Sequence, residues 1–404
     1  MKYIIDPVHG FVSIPDGLIL TLVKHPMFQR LTRVRQLGVE GMVYPGAQHT
    51  RFQHSIGAYY LACRALDALE SKGVNIPDDE REGLLAAILL HDVGHGPFSH
   101  VLEKVFTRNV SHEYISESVM RRINAETGGA LEKAIGIFNG SYGRHFLHEL
   151  VSSQLDMDRL DYLCRDSFFT GVREGNVGAA RIIQMLDVRG DSLVVGEKGV
   201  YSVENYLMTR RMMYWQVYLH KTVVAAEVVL INALQRAREL IRKGKELFAS
   251  PALKFFLAND CDRKMFEADE KILDIFMELD DSDIISALKV WTNSSDGILA
   301  SLSRNFINRR LFKVEVYDNE VPRERLESIS SEIVGRLGID KSDAHYFVNV
   351  RTVEKDMYSL HSDQIKILMR DGGIKTMPQV SEIIRSDTAA QTYRKAYLTY
   401  ERAQ

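Results

Sequence analysis

The chain has 404 residues, 51 Lys+Arg against 54 Asp+Glu, 13 His and a formal net charge of -3. At 45% hydrophobic and 26% charged residues it carries enough apolar surface to offset ordering entropy, which excludes a disordered chain. The near-neutral balance argues against a general nucleic-acid coat protein, yet allows a small basic pocket for a phosphorylated ligand. The longest apolar run, Leu84 to Leu90, stops at His91-Asp92, far short of the roughly 18 residues of a membrane span. The opening residues Met1 to Pro7 show neither an h-region nor a cleavage site, which argues against export. Cys63, Cys164 and Cys261 are odd in number and far apart, so a disulfide framework or zinc ribbon is excluded and a cytoplasmic setting is expected.

Residues 2–14 alternate and predict a short hairpin. Leu22, Val23, Met27, Leu31 and Val34 fall at helical spacing, with a break at Pro26. Arg51 to Ser71 predicts a helix ended by Gly73, and Asp79 to Asp92 predicts a buried one. Ser111 is a fitting N-cap for a helix to about Glu126. Helical spacing continues through 145–168, 176–187 and 203–247. Residues 264–311 predict further helices, with polar breaks at Asp280-Asp281 and Asn293 to Ser295. After that, Phe312–Tyr317, Tyr346–Val350 and Ile365–Met369 read as strands around a helix over Pro322–Leu337, an α+β pattern.

Eight of the 13 histidines lie between His49 and His148. The sharpest group is His91-Asp92-Val93-Gly94-His95-Gly96-Pro97-Phe98-Ser99-His100. An adjacent His and Asp at the end of a buried helix can reach one cation, and Gly94 and Gly96 let the backbone turn closely there. His54 lies three residues after Arg51 on one helix face. Asp158, Tyr162 and Asp166 follow at i, i+4, i+8, with Arg159 beside them. Taken singly, each has a plain structural reading: His220 as a solvated histidine, His91-Asp92 as a C-cap pair, Asp158 and Asp161 as a solvated face paired with Arg159 and Arg165. Their joint occurrence in this order favours a metal site.

The order His54, His91-Asp92, Asp158 resembles the metal set of the HD-domain phosphohydrolases. Further strings narrow the resemblance to dNTP triphosphohydrolases related to the sterile-α-motif-and-HD protein: Asp6-Pro7-Val8-His9-Gly10, Phe28-Gln29-Arg30-Leu31, Gln36-Leu37-Gly38, Arg51 to Gly57, His91 to His100 and Asp156 to Tyr162. The similarity spans roughly residues 2–315 and is most specific over 2–170. It implies a mainly α fold: an HD-domain helical bundle over 1–250 with a short N-terminal hairpin, a helical extension over 251–312, and a small α+β lobe and tail over 313–404.

It also implies a metal-dependent enzyme that cleaves dNTPs at the α-phosphorus, giving a deoxynucleoside and inorganic triphosphate. His54, His91, Asp92 and Asp158 would hold one divalent ion (Fe, Mn, Zn, Ni or Mg), with additional Mg on the substrate phosphates. His95 and His112 would be catalytic, His112 backed by Glu103. Arg51, Arg159 and Arg210 would contact phosphate; Gln36, Leu37, Tyr162 and Asp166 would select deoxyribose; Tyr218 and Lys221 would form the far wall. Arg309 and Lys313 match residues that hold an activator's phosphates, and a homo-oligomer (dimer or tetramer) is implied; Lys24 and Thr32 stand where nucleotide-activated relatives carry an Asp and an Arg, so activation by a guanine nucleotide is not assumed. No membrane or nucleic-acid partner is expected. Two alternatives stay open: an HD phosphohydrolase acting on a monophosphate, cyclic nucleotide or alarmone, and a nucleotide- or nucleic-acid-binding regulator, which the clusters Arg30-Arg33-Arg35 and Arg236 to Lys245 would permit.

Overall fold

The computed structural model describes residues 1–99, 105–356, 364–384 and 392–402. The fold is mainly α. It opens on an antiparallel hairpin, Lys2–Asp6 with Gly10–Ile14, as the alternation predicts. Asp6 ends the first strand buried, and its carboxylate accepts from the Val8 and His9 backbone N–H groups, which fixes the turn.

Three helices carry the centre of the bundle. Arg51–Glu70 starts at a capping box, Thr50 with Gln53, and is left by the chain at Gly73 (φ 87°). Asp78–Leu90 places Asp78, Asp79 and Glu80 in its first turn, where they complement the helix dipole, and buries every residue from Gly83 onward. Met157–Thr170 is capped by Asp156, which accepts from the Arg159 N–H at 2.7 Å, and ends at Gly171 in the left-handed region. Loss of such a cap costs about 1 kcal/mol. Gly57 lets the Arg51–Glu70 and Met157–Thr170 helices pack closely: a Cβ there would lie 2.0 Å from an Asp161 carboxylate oxygen and 2.1 Å from the Arg165 guanidinium. Ser111 caps His112–Glu126 as expected, accepting from the Tyr114 N–H.

Several elements differ from their sequence expectation. The 145–168 stretch splits into His145–Val151 and Met157–Thr170, because Asp156 turns in to cap the second helix. The helix over 176–187 stops at Met185, and Leu186–Arg189 pairs as a strand with Ser192–Gly196. The 203–247 stretch divides at a π-helical turn, Tyr214–Tyr218, and restarts at Lys221–Arg242, where the His220 ring accepts from the Thr222 N–H. Towards the C-terminus, Lys313–Tyr317 and Val348–Asp356 flank Thr392–Tyr400, a central strand the sequence pattern did not reveal. Lys366–Leu368 leaves that sheet and pairs with Ser192–Gly196 instead, so the expected lobe and the helical bundle share a sheet.

Most arginines of the basic clusters are buried or paired with carboxylates, whereas Lys243 and Lys245 are exposed. Arg30 is buried and donates to the Leu279 and His95 carbonyls. Arg33 pairs with Asp280, Arg236 with Asp296, and Arg238 and Arg242 with Asp260. Among the described residues, no single helix is long and apolar enough to cross a membrane.

Gly57→Ala tests the helix contact. Overpacking costs about 1–3 kcal/mol, so the substitution should lower the thermal midpoint and, by displacing Asp161, weaken metal uptake. A variant with unchanged Tm and metal content would contradict the contact.

Candidate metal centre

The Arg51–Glu70 helix places His54 in its first turn; the Asp78–Leu90 helix delivers His91 and Asp92 just beyond its last residue; the Met157–Thr170 helix places Asp158 in its first turn. These side chains converge. His54 Nε2 lies 3.2 Å from His91 Nε2 and 3.0 Å from Asp158 Oδ1, and His91 Nε2 lies 3.5 Å from the same oxygen. Asp92 closes the ring, 3.6 Å from His54 Nε2 and 3.4 Å from His91 Nε2. All four expected ligands are therefore together, and His54, His91 and Asp158 present donor atoms spaced for one ion.

Both imidazoles are pinned through their other nitrogen. His91 Nδ1–H donates to the Ile88 carbonyl at 2.6 Å, and His54 Nδ1–H to Asp161 Oδ2 at 2.8 Å. Each Nε2 is thus the atom turned to the common point, the arrangement seen around metal-bound histidine. Two imidazoles with carboxylate oxygens suit a divalent first-row ion or magnesium-type hard ion without selecting among them. Asp158 keeps 28% of its side chain exposed and marks the open side.

The electrostatics fit the same reading. Burial opposes charge on His54, but hydrogen bonds to Asp158 and Asp161 outweigh it and push its pKa up to about 10. Burial likewise opposes charge on His91, and Asp92 and Asp158 outweigh it. Burial would raise Asp158, yet His54 and His91 hold it far below the usual carboxylate range. Negative charge concentrated here is what a cation would neutralise.

Beneath His54 lies a charged network that sequence reasoning placed at the surface. Asp161 and Arg165, read singly as a solvated pair, are fully buried. Arg165 grips Asp161 (2.8 and 3.0 Å) and Asp6 (2.7 and 3.2 Å), and His9 reaches Asp161 at 2.6 Å. The motif Asp6 to His9 thus acts from 150 residues away in sequence, which no local pattern discloses.

The turn after His91 is held tightly. A Cβ on Gly94 would meet the His112 carbonyl and the Ser116 nitrogen, each at 2.3 Å, so only glycine fits. Phe98 and Ser99 both sit at φ 53°, a strain of about 1–3 kcal/mol each. Asp281 accepts from the Phe98 and Arg35 N–H groups and so fixes this backbone; its sequence context suggested only a helix break.

His95 is buried, 3.2 Å from Asp92 Oδ1, and stacks on His112 with ring centroids 3.9 Å apart. Burial, then the charge of Arg51, holds its pKa well below 6.5, so it is neutral. Glu103, expected behind His112, lies outside the described residues; Glu113 stands 3.3 Å from the His112 ring. Arg51 reaches Asp92 and donates to Ser99 Oγ at 2.9 Å.

Asp166 accepts from the Tyr218 hydroxyl at 2.7 Å and pairs with His49 at 2.8 Å. Tyr162 packs against both His54 and Tyr218. Gln36 Oε1 is buried with no hydrogen-bond partner, and Leu37 is buried beside it in sequence. Arg159 is tied to Asp156, and Arg210 lies over the Tyr214 ring, with the Tyr162 hydroxyl close enough to feel its charge. Lys221 is exposed at its helix start and is not drawn into this group. Arg309 donates to the Met42 carbonyl, and Lys313 lies over Tyr400; both are exposed.

Comparison with known proteins accords with this geometry. Residues 51–166 match the HD domain, and residues 177–249 match the HD associated region. The Bacillus subtilis protein YwfO is 36% identical over 395 residues, 94% of this chain and 88% of its own. The chain belongs to the HD-domain phosphohydrolase family. A phosphohydrolase of known structure from Bacteroides thetaiotaomicron is 53% identical, with a TM-score of 0.96, covering 99% of this chain and 100% of that one. Human deoxynucleoside triphosphate triphosphohydrolase SAMHD1 is 28% identical over 324 residues, 69% of this chain but 50% of the human protein. The four residues that meet at the cluster, His54, His91, Asp92 and Asp158, all fall within the matched 51–166 region.

Because His54 is protonated in the metal-free protein, metal uptake must expel a proton. Titration of Mn²⁺ in buffers of different ionisation enthalpy at pH 7.5 should show release of about one proton or more per ion, and affinity should fall as pH falls. Asp161→Asn should weaken uptake by about 10–100-fold. Uptake without proton release would contradict this electrostatic picture.

Proposed function

We propose that the protein hydrolyses deoxynucleoside triphosphates at the α-phosphorus, giving a deoxynucleoside and inorganic triphosphate. The observation that carries this reading is one helix presenting a metal donor, a phenol and a second carboxylate in successive turns: Asp158, Tyr162 and Asp166. A bound ion at His54, His91, Asp92 and Asp158 would supply Lewis-acid polarisation of a phosphoryl oxygen and a more acidic water.

The chain's own residues do the rest. Arg51 presents a planar guanidinium at the cluster edge, already aimed by Ser99, and suits phosphate oxygens. Arg159 and Arg210 add charge along the triphosphate. Asp166, fixed by His49 and Tyr218, keeps lone pairs for the 3′ hydroxyl, since a carboxylate offers about four acceptor sites. Gln36, whose buried Oε1 has no hydrogen-bond partner, touches the same 3′ hydroxyl, and buried Leu37 blocks a 2′ hydroxyl. Water adds to the α-phosphorus, the bond to the 5′ oxygen breaks, and His112 returns a proton to that oxygen. Neutral His95 donates or accepts a hydrogen bond at the phosphate and positions His112 by stacking. Positioning and charge neutralisation account for most of the rate, because little covalent chemistry is required.

Incubation with each dNTP and Mn²⁺, with products separated by chromatography, should yield deoxynucleoside and triphosphate. Monophosphate plus pyrophosphate would overturn the cleavage position. His112→Gln should lower kcat by about 10²–10⁴ with little change in KM.

A further inference from the structure

A large cavity lies away from the metal cluster. It encloses about 1130 Å³ on the other side of the Met157–Thr170 helix, beside Cys164, Ser167 and Phe168, whereas Asp158, Tyr162 and Asp166 face the cluster. Ligand sites commonly occupy about 300–1,000 Å³, so its size admits a whole small molecule.

Its lining has one sign of charge. Arg64, Arg173 and Arg181 contribute guanidiniums, and no aspartate or glutamate lines it. Arg64 and Arg173 form no ion pair among the described residues, and Arg181 donates only to the Lys198 carbonyl at 3.3 Å. This contrasts with Arg33, Arg236, Arg238 and Arg242, each of which has a carboxylate. Three unneutralised guanidiniums around one concavity form an anion site, and their planar forks match phosphate oxygens. The rest of the wall mixes neutral polar groups (His9, Ser167, Asn176, Gln184) with apolar and aromatic surface. Tyr60 stacks on His9 at 5.1 Å, Phe168 is 57% exposed, and Leu61 and Ile183 add aliphatic surface. An exposed phenylalanine beside unpaired arginines suits a ligand with a flat body and an anionic end.

We propose that this cavity binds a small organic phosphate with a planar apolar body, at a site separate from the metal cluster and from Arg309 and Lys313. The cavity wall also touches the metal site: His9 holds Asp161, and Asp161 holds His54, so an occupant lies two hydrogen bonds from a ligand atom. The proposal stands on the cavity alone and does not depend on the substrate assigned to the cluster.

The test uses the full-length protein and 1-naphthyl phosphate as probe, followed by calorimetry, with 1-naphthol and 1-naphthoate as controls. Saturable one-to-one binding of the phosphate is expected, with the uncharged 1-naphthol at least about tenfold weaker. The double variant R64E/R181E should lose binding by a similar factor while keeping its Tm and metal content. Arg51→Ala, at the metal cluster, should leave it unchanged. Equal binding of 1-naphthoate would overturn the preference for phosphate. Absence of binding, or binding lost with Arg51→Ala and retained in R64E/R181E, would overturn the site. So would a wild-type oligomer that binds no probe and dissociates on R64E/R181E, since a second copy would then be the occupant.

Discussion

The hydrogen bond from His54 Nδ1 to Asp161 is the contact on which the site depends. It sets the tautomer and the ring plane of His54, and it is itself held by Arg165 and His9. Buried charges are costly unless they are fully paired. Here Asp6, Asp161, Arg165 and the two histidines satisfy one another with two-pronged contacts on both sides of the guanidinium. Removing Arg165 would leave Asp6 without its charged partner and Asp161 without its guanidinium. The hairpin and the two central helices are thus joined at the point where a metal ligand must be rigid. Gly57 is the steric condition for this, since any side chain there would occupy the space of the Asp161–Arg165 pair.

A second constraint acts on the turn after His91. Two non-glycine residues in the left-handed region, a glycine pressed against the His112–Glu126 helix, and a buried Arg30 that ties down the His95 carbonyl together set the position of His95 under His112. Asp281, nearly 190 residues further on, holds this turn by accepting two backbone N–H groups. Strain here is balanced by hydrogen bonds that come from distant segments, which is a common cost of a preorganised site.

The sequence made the metal set legible because its members sit in short, distinctive strings: a His-Asp pair closing a helix with an apolar second half and a carboxylate-bearing helix face. The helices themselves were readable where a cap or a glycine bounded them, as at Ser111 and Gly73. What failed has a common reason. Asp161, Arg165 and Asp281 look like ordinary surface charges when only neighbours along the chain are considered, and their burial is decided by partners from the hairpin and the 91–99 turn. Leu186–Arg189 continued an apolar helical spacing, yet Ser192–Gly196 offered it a strand partner. The sheet shared by Ser192–Gly196 and Lys366–Leu368 depends on a pairing across more than 170 residues, beyond any local pattern.

The account as a whole requires that His54, His91, Asp92 and Asp158 bind a common divalent ion. Crystals grown with Mn²⁺ and measured at the manganese absorption edge test this directly. The account predicts one strong anomalous peak about 2.0–2.2 Å from the Nε2 atoms of His54 and His91 and an oxygen of Asp158. A fully occupied manganese peak elsewhere, with none between these side chains, would contradict it.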